Sequence, residues 1–243
     1  MSDYAKGLEG VTANESVLSN VEGLDGRLSY LGYHIDDLVE HCCYEEVVYL
    51  LHHRKLPSQI ELDAFKKDLA SRRAIPRGVI DYLQSAPSDA GPMDILRTAI
   101  SMLGLYDKRA KIGEPDHEAN REVAMSICAQ VGTIVAYYHR ARQGLDLPPV
   151  REDLSEAGHF IYLYTGEEPG EQATKTLDVA YILHADHGMN ASTFSARVTI
   201  ATLSDFYSAI TSAIGTLKGP LHGGANEGVI RMLEEIGSVD KVD

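Results

Sequence analysis

Two histidine-bearing segments near the C-terminal end hold the residues best suited to chemistry. The first is Lys218-Gly219-Pro220-Leu221-His222-Gly223-Gly224-Ala225-Asn226-Glu227. Three glycines and a proline between two expected helices impose a sharp, close-packed backbone path. A helix opening near Ala225 would aim free N–H groups at this loop, making a ready anion site. His222 stands beside that helix start, where the dipole favours a neutral imidazole that can donate a proton. The plainer reading is a histidine that caps or fills a Gly-rich helix connection. The second segment is His184-Ala185-Asp186-His187-Gly188-Met189-Asn190-Ala191-Ser192-Thr193. It closes one expected helix and opens the next. His184 and His187 are three residues apart and share a face if the helix persists. With Asp186 they could hold a metal, but no third ligand follows at a suitable spacing, so the metal reading is set aside. His184 continues an apolar stripe and is expected as a hydrogen-bonded core histidine. His187 lies at the helix end and is the better candidate for touching a ligand. Asn190 or Ser192 is the expected N-cap.

Other residues carry weaker signals. Met93, Met102 and Met125 read as core fillers, and Arg97 as the partner of Asp94 in an ion pair on one helix. Cys42, Cys43 and Cys128 make no C-x-x-C pattern and are expected as small buried hydrophobes in a reducing compartment. The chain has no P-loop, no dinucleotide fingerprint and no Gly-x-Ser-x-Gly elbow. Asn190-Ala191-Ser192 matches a glycosylation sequon, which is dismissed for a chain expected inside the cell.

The elements that must position these residues are nearly all helical. Gly23-Leu24-Asp25-Gly26, between Val17-Leu18 and Leu28-Ser29-Tyr30, signals a two-stranded hairpin. A helix is expected over 35–53, stopped by Leu56-Pro57. Ser58 and Glu61 form a capping box for the next, which runs to about Arg73. Pro76 and Pro92 read as first residues of helices, the second ending at Leu105. A loop is expected over 107–115. A long helix over 117–143 follows, with Val123, Ile127, Val131, Ile134, Val135 and Tyr138 on one face. Further helices are expected over 152–164, from Ala173 to the His184 segment, from Asn190 to Thr202, and over 205–217. The 205–217 helix carries Phe206, Ala209, Ile210, Ala213, Ile214 and Leu217 on one stripe and the small residues Ser208, Thr211, Ser212 and Gly215 elsewhere. A helix apolar or small all round is expected to be buried on several sides, including across a subunit boundary. The fold class is all-α with a small N-terminal hairpin.

Composition removes several function classes. The 243 residues are 44% hydrophobic and 24% charged, enough apolar mass for a sizeable core. The net charge of −14 leaves no basic footprint for nucleic acid, and any anionic substrate must be held by local donors. No apolar run approaches the roughly 20 residues that span a bilayer. Residues Met1-Ser2-Asp3-Tyr4 lack the pattern of a secretion signal, so a cytoplasmic protein is expected.

Four segments together carry a resemblance. Gly219-Pro220-Leu221-His222-Gly223-Gly224-Ala225-Asn226-Glu227 resembles the GP-x-HGGANE segment of citrate synthases, and 184–193 resembles their HA-D/E-H-x-x-NAST segment. Pro92-Met93-Asp94-Ile95-Leu96-Arg97-Thr98-Ala99 resembles their HPM-x-x-LRTA segment, with Gly91 where histidine is usual. Gly7-Leu8-Glu9-Gly10-Val11 resembles the start of the short bacterial and archaeal type. The segments occur in family order across nearly the whole chain.

The resemblance implies condensation of acetyl-CoA with oxaloacetate to citrate and CoA, with acetyl-CoA as co-substrate and neither metal nor cofactor. His222 would be catalytic, hydrogen-bonding the thioester oxygen as the enol forms. His187 would contact oxaloacetate, and the backbone near Asn190 would help bind its carboxylate. The resemblance also implies a homodimer, with much of its interface from helices near 92–105, 117–143, 173–187 and 205–217. Residues 1–34 are expected as an extended segment and hairpin packed on a helical large domain, 35–243. The family's small domain, with a GMGHR-type segment and a catalytic aspartate, has no counterpart in these residues. The chain is therefore expected to stop before it and to show little activity alone. A 2-methylcitrate synthase using propionyl-CoA shares the same motifs, and a non-catalytic dimerisation scaffold is the alternative of a different class.

Overall fold

The computed structural model describes residues 14–110 and 117–241. Among them lie eleven α-helices and one small sheet, so the all-α expectation holds. The segment 7–11 quoted for the family start lies outside the described residues.

The hairpin forms as strands β1 (Ser19–Glu22) and β2 (Arg27–Tyr30), antiparallel, with Val21 opposite Leu28. Its turn is closed by Asp25 N–H donating to Glu22 O at 3.0 Å, and Gly26 takes φ 64°, as an Asp-Gly turn requires. A two-residue strand β3 (Tyr33–His34) pairs on the other side of β2, giving the order β1-β2-β3. Tyr30 is wholly buried, and its hydroxyl donates to Ile182 O at 3.0 Å. That bond fastens the ribbon to the C-terminal helices.

The single helix expected over 35–53 is two, α1 (Ile35–His41) and α2 (Tyr44–His53), with Cys42 and Cys43 extended between them. No proline or glycine announces the break. It is stabilised by bonds that periodicity does not report: Cys43 N–H donates to Glu46 Oε2 at 2.8 Å and Tyr44 N–H to Asp178 Oδ1 at 2.9 Å. The break leaves Cys42 and Cys43 only half-buried, and Cys128 is exposed, so none of the three is the buried hydrophobe expected.

The capping box on α3 (Gln59–Ser71) is present, with Ser58 N–H donating to Glu61 Oε2 at 2.8 Å. Pro76 is the N-cap of α4 (Arg77–Ser85), one residue earlier in role than expected, while Pro92 does open α5 (Pro92–Tyr106). A single 3-10 turn, Lys108–Ala110, occupies the start of the expected loop, and α6 runs His117–Arg142. Helix α7 (Glu156–Thr165) begins four residues later than expected. Two features displace its start. Ser155 Oγ accepts from Gly158 N–H at 3.1 Å as the cap, and Arg73 binds the carbonyls of Arg151 (2.5 Å) and Leu154 (2.9 Å), holding 151–154 as a turn. The remaining helices are α8 (Glu171–Leu183), α9 (Ala191–Ala201), α10 (Phe206–Leu217) and α11 (Gly224–Ile236).

The main core packs α4, α5, α6, α7 and α10 around Val79, Leu83, Ile100, Val123, Ile134 and Leu163. A smaller one joins the ribbon, α1, α2 and α8 through Tyr30, Leu38, Val47, Leu50 and Ile182. Val135, expected on the buried face of α6, is exposed; the drift of a 3.6-residue period over this long helix carries it off the stripe. Helix α10 lies against α5 and α9. A Cβ on Gly104 of α5 would sit 3.1 Å from Tyr207 Cβ, so glycine permits that close approach. Helix α10 is packed on several sides, against α9, α5 and α6, as expected, while Ser208 and Gly215 stay exposed in the single chain. None of the residues of α11 is buried, and Val229, Ile230, Met232 and Leu233 stand about half exposed.

Candidate active site

The turn before α9 is tightly braced. Asp186 Oδ1 accepts from Ser19 Oγ and from Gly188 N–H, both at 3.0 Å, and Gly188 takes φ 61°. Asn190 is the N-cap, its Oδ1 accepting from Thr193 N–H at 2.9 Å. This resolves the choice between Asn190 and Ser192 and leaves the Ser192 hydroxyl free for another partner. His184 is exposed rather than buried. Helix α8 ends at Leu183, and as its C-cap His184 leaves the apolar stripe; its Nδ1 lies 2.6 Å from Ala180 O. His187 is also exposed, at the mouth of the turn.

The loop after α10 brings His222 back over α9. Lys218 Nζ lies 2.5–2.6 Å from the Asp94 carboxylate on α5, anchoring the loop at its start. His222 N–H and Gly224 N–H both donate to Gly219 O, at 2.9 and 3.2 Å. A Cβ on Gly224 would meet Lys218 O at 2.4 Å, and one on Gly223 would meet Leu217 Cδ1 at 2.5 Å. Neither position accepts a side chain without the loop opening. The free N–H groups expected at this helix start are not free. Those of Gly224, Ala225 and Asn226 donate to Gly219, His222 and Gly223 carbonyls at 3.1–3.2 Å, because the loop winds into the helix as successive tight turns. The anion site expected from the helix start is therefore closed.

His222 Nε2 lies 2.7 Å from Ser192 Oγ, a contact between residues 30 apart in sequence. Both line a cavity of about 500 Å³ between α9 and α10, together with Asn190, Arg197, Phe206 and Ile210. The walls are largely apolar, and no carboxylate is among the lining residues. Of the expected site residues, Asn190 and His222 meet in this cavity, and His187 does not line it. Ser192 and Arg197 were not expected there. Ser192 was legible only as a cap candidate, and no local pattern singles out Arg197. Among the described residues no group of three His, Cys, Asp or Glu side chains could hold a metal ion. Among them, too, no helix is long and apolar enough to cross a membrane.

A histidine held by a serine hydroxyl over an apolar cavity is arranged as a hydrogen-bond donor toward a bound oxygen. The family model for the citrate synthase C-terminal domain matches residues 7–243. The chain belongs to the citrate synthase family. It is 48% identical over its whole length to the citrate synthase of Deinococcus radiodurans, covering 64% of that protein. It is 49% identical to citrate synthase 2 of Bacillus subtilis, with 98% of this chain and 63% of that protein aligned. Identity to the 2-methylcitrate synthase of Shewanella oneidensis is lower, 39% over 97% of this chain and 63% of that protein. The structure superposes with a TM-score of 0.90, at 30% identity, on the Thermoplasma acidophilum citrate synthase in a ternary complex with carboxymethyl coenzyme A and oxaloacetate; 98% of this chain and 62% of that one are covered. The chain thus spans under two thirds of the length of these relatives.

Proposed function

We propose that this chain provides the donor side of an enzyme that condenses acetyl-CoA with oxaloacetate to citrate and CoA. The observation that carries the reading is the 2.7 Å contact of Ser192 Oγ with His222 Nε2 on the wall of the α9/α10 cavity. If the hydroxyl donates to Nε2, the imidazole proton sits on Nδ1, fixed as a donor to the acetyl thioester oxygen. Negative charge grows on that oxygen as the methyl group loses its proton, so a preorganised donor there lowers the barrier to the enol. The enol carbon then attacks the oxaloacetate ketone, and hydrolysis of the thioester releases CoA. His187 and the backbone at Asn190 contact oxaloacetate in this reading, and Arg197 adds a guanidinium to the same cavity. No metal or cofactor takes part.

The step that removes the methyl proton needs a base, and no carboxylate lines the cavity. Residues 1–243 alone are therefore expected to give turnover near background, because the base must come from outside the residues that line this cavity. CoA release from acetyl-CoA plus oxaloacetate tests this: near-normal rates from residues 1–243 alone would overturn it. Acetyl-CoA is favoured over propionyl-CoA because identity to the citrate synthases exceeds that to the 2-methylcitrate synthases. The chain is proposed to act as a cytoplasmic homodimer. The open small-residue face of α10 and the unburied apolar face of α11 support that pairing.

A further inference from the structure

A second cavity, of about 720 Å³, lies where the C-terminal end of α2 meets α6 and the turn after α8, and it shares no lining residue with the His222 cavity. Its polar lining is His52, His53, Arg54, Arg121 and Asp186. In a chain of net charge −14, this is a local concentration of cationic groups. Neither arginine forms an ion pair with any described residue, whereas eight other arginines do. The one carboxylate in the lining, Asp186, has its Oδ1 held by the Ser19 hydroxyl and Gly188 N–H. Arg54 also sits at φ 60° as the C-cap of α2. Glycine is the usual residue at that left-handed position, so Arg54 stands there at a local backbone cost.

We propose that this cavity binds a phosphate-bearing anion of the pyrophosphate class. Arg54 and Arg121 supply the fixed charges, as guanidinium groups recognise phosphate oxygens through paired N–H donors. His52 and His53 supply charge on demand. Burial holds both imidazoles below their usual range, with His53 and Arg121 adding to the effect on His52, and Arg121 and Lys55 on His53. Glu61, which opposes the shift at His53, is itself paired with Lys55 at 2.6 Å. Asp186 is the remaining charged group at the cavity. The imidazoles therefore carry less charge than free histidines when the cavity is empty, and an anion between them and the arginines draws protons onto them. Binding and protonation are coupled, so affinity rises as pH falls.

Isothermal titration of the 243-residue protein with inorganic pyrophosphate, at low salt and at about pH 6 and about pH 8, tests the proposal. Binding is expected to be tighter at the lower pH and to take up protons, seen as a dependence of the heat on the buffer's ionisation enthalpy. Arg54→Gly suits the left-handed backbone and should fold at least as well as the parent. It should weaken binding about fivefold or more, the loss expected for one exposed charge at contact distance. Arg121→Gln should do the same, and Arg231→Gln on α11 should change nothing. Absence of pyrophosphate binding to the parent protein, or full affinity in both Arg54→Gly and Arg121→Gln, would overturn the proposal. The readout is binding, so it stands or falls separately from citrate formation.

Discussion

The two glycines of α11 make opposite predictions from one substitution. An alanine Cβ at Gly224 would lie 2.4 Å from Lys218 O and 2.8 Å from Gly219 O, where ordinary contact begins at 3.4 Å. Both obstacles are backbone, so the loop must open by about 1 Å, and such overpacking costs about 1–3 kcal/mol. The opening also strains the bonds from His222 N–H and Gly224 N–H to Gly219 O, each worth about 1 kcal/mol net. Gly224→Ala is therefore expected to destabilise by about 2–4 kcal/mol. It should also move the His222 ring away from Ser192. Gly228, one turn further on, has nothing within 4 Å of a new Cβ. Gly228→Ala should stabilise by about 0.5–1 kcal/mol through helix propensity alone. Urea denaturation gives both signs, and NMR of labelled imidazoles reports the Ser192 contact. If the two variants shift stability in the same direction, or Gly224→Ala leaves the His222 resonances unchanged, the close-packing account of this loop is wrong.

Acid should destabilise the fold through His159. This ring is 2% exposed, and its Nε2 has no hydrogen-bond partner among the described residues. Burial, with the Arg73 cation beside it, pushes its pKa down to about 3. An unfolded histidine titrates near 6.5, so stability is full above that pH and is lost as pH falls toward 3. The loss from this group should not exceed about 1.4 kcal/mol per pH unit. Urea midpoints measured from pH 7 downward check the slope, and His159→Leu should flatten it; the depressed His52 and His53 titrate in the same sense. Tyr30→Phe removes the hydroxyl that donates to Ile182 O and accepts from Asp186 N–H at 3.4 Å. It should cost about 1–2 kcal/mol and speed amide exchange at Asp186. The protein should sediment as a dimer, and Leu233→Glu on the open face of α11 should make it a monomer; a monomeric parent would refute the proposed pairing.

Much of the fold was legible because its signals are local. The Asp25-Gly26 turn, the Ser58–Glu61 box, Pro92 at a helix start and the stripe of α10 each depend on residues within one or two turns. What sequence missed depends on distant partners. The break at Cys42-Cys43 carries a bond from Tyr44 to Asp178, 134 residues away. The late start of α7 reflects Arg73, which is buried and reaches the carbonyls of 151 and 154. The site divides the same way. His222 and Asn190 stood out through their glycine-rich and cap-forming neighbours. Ser192 meets His222 only after α9 and α10 fold against each other, and nothing local marks it. The closed helix start at Gly224 was misread for a related reason, since sequence gives the free N–H groups but not the carbonyls that fold back onto them.

The role of His222 is tested most directly in a chimaera. Residues 1–243 would be joined to the remaining C-terminal part of the Deinococcus radiodurans citrate synthase, which is 48% identical over this chain. Citrate formation from acetyl-CoA and oxaloacetate would then be compared with and without His222→Ala. The chimaera should make citrate. The substitution should lower kcat by about 10²–10³, the usual loss when one donor to a developing oxyanion is removed. A His222→Ala chimaera that keeps the parent's kcat would contradict the assignment of His222 as the donor to the thioester oxygen.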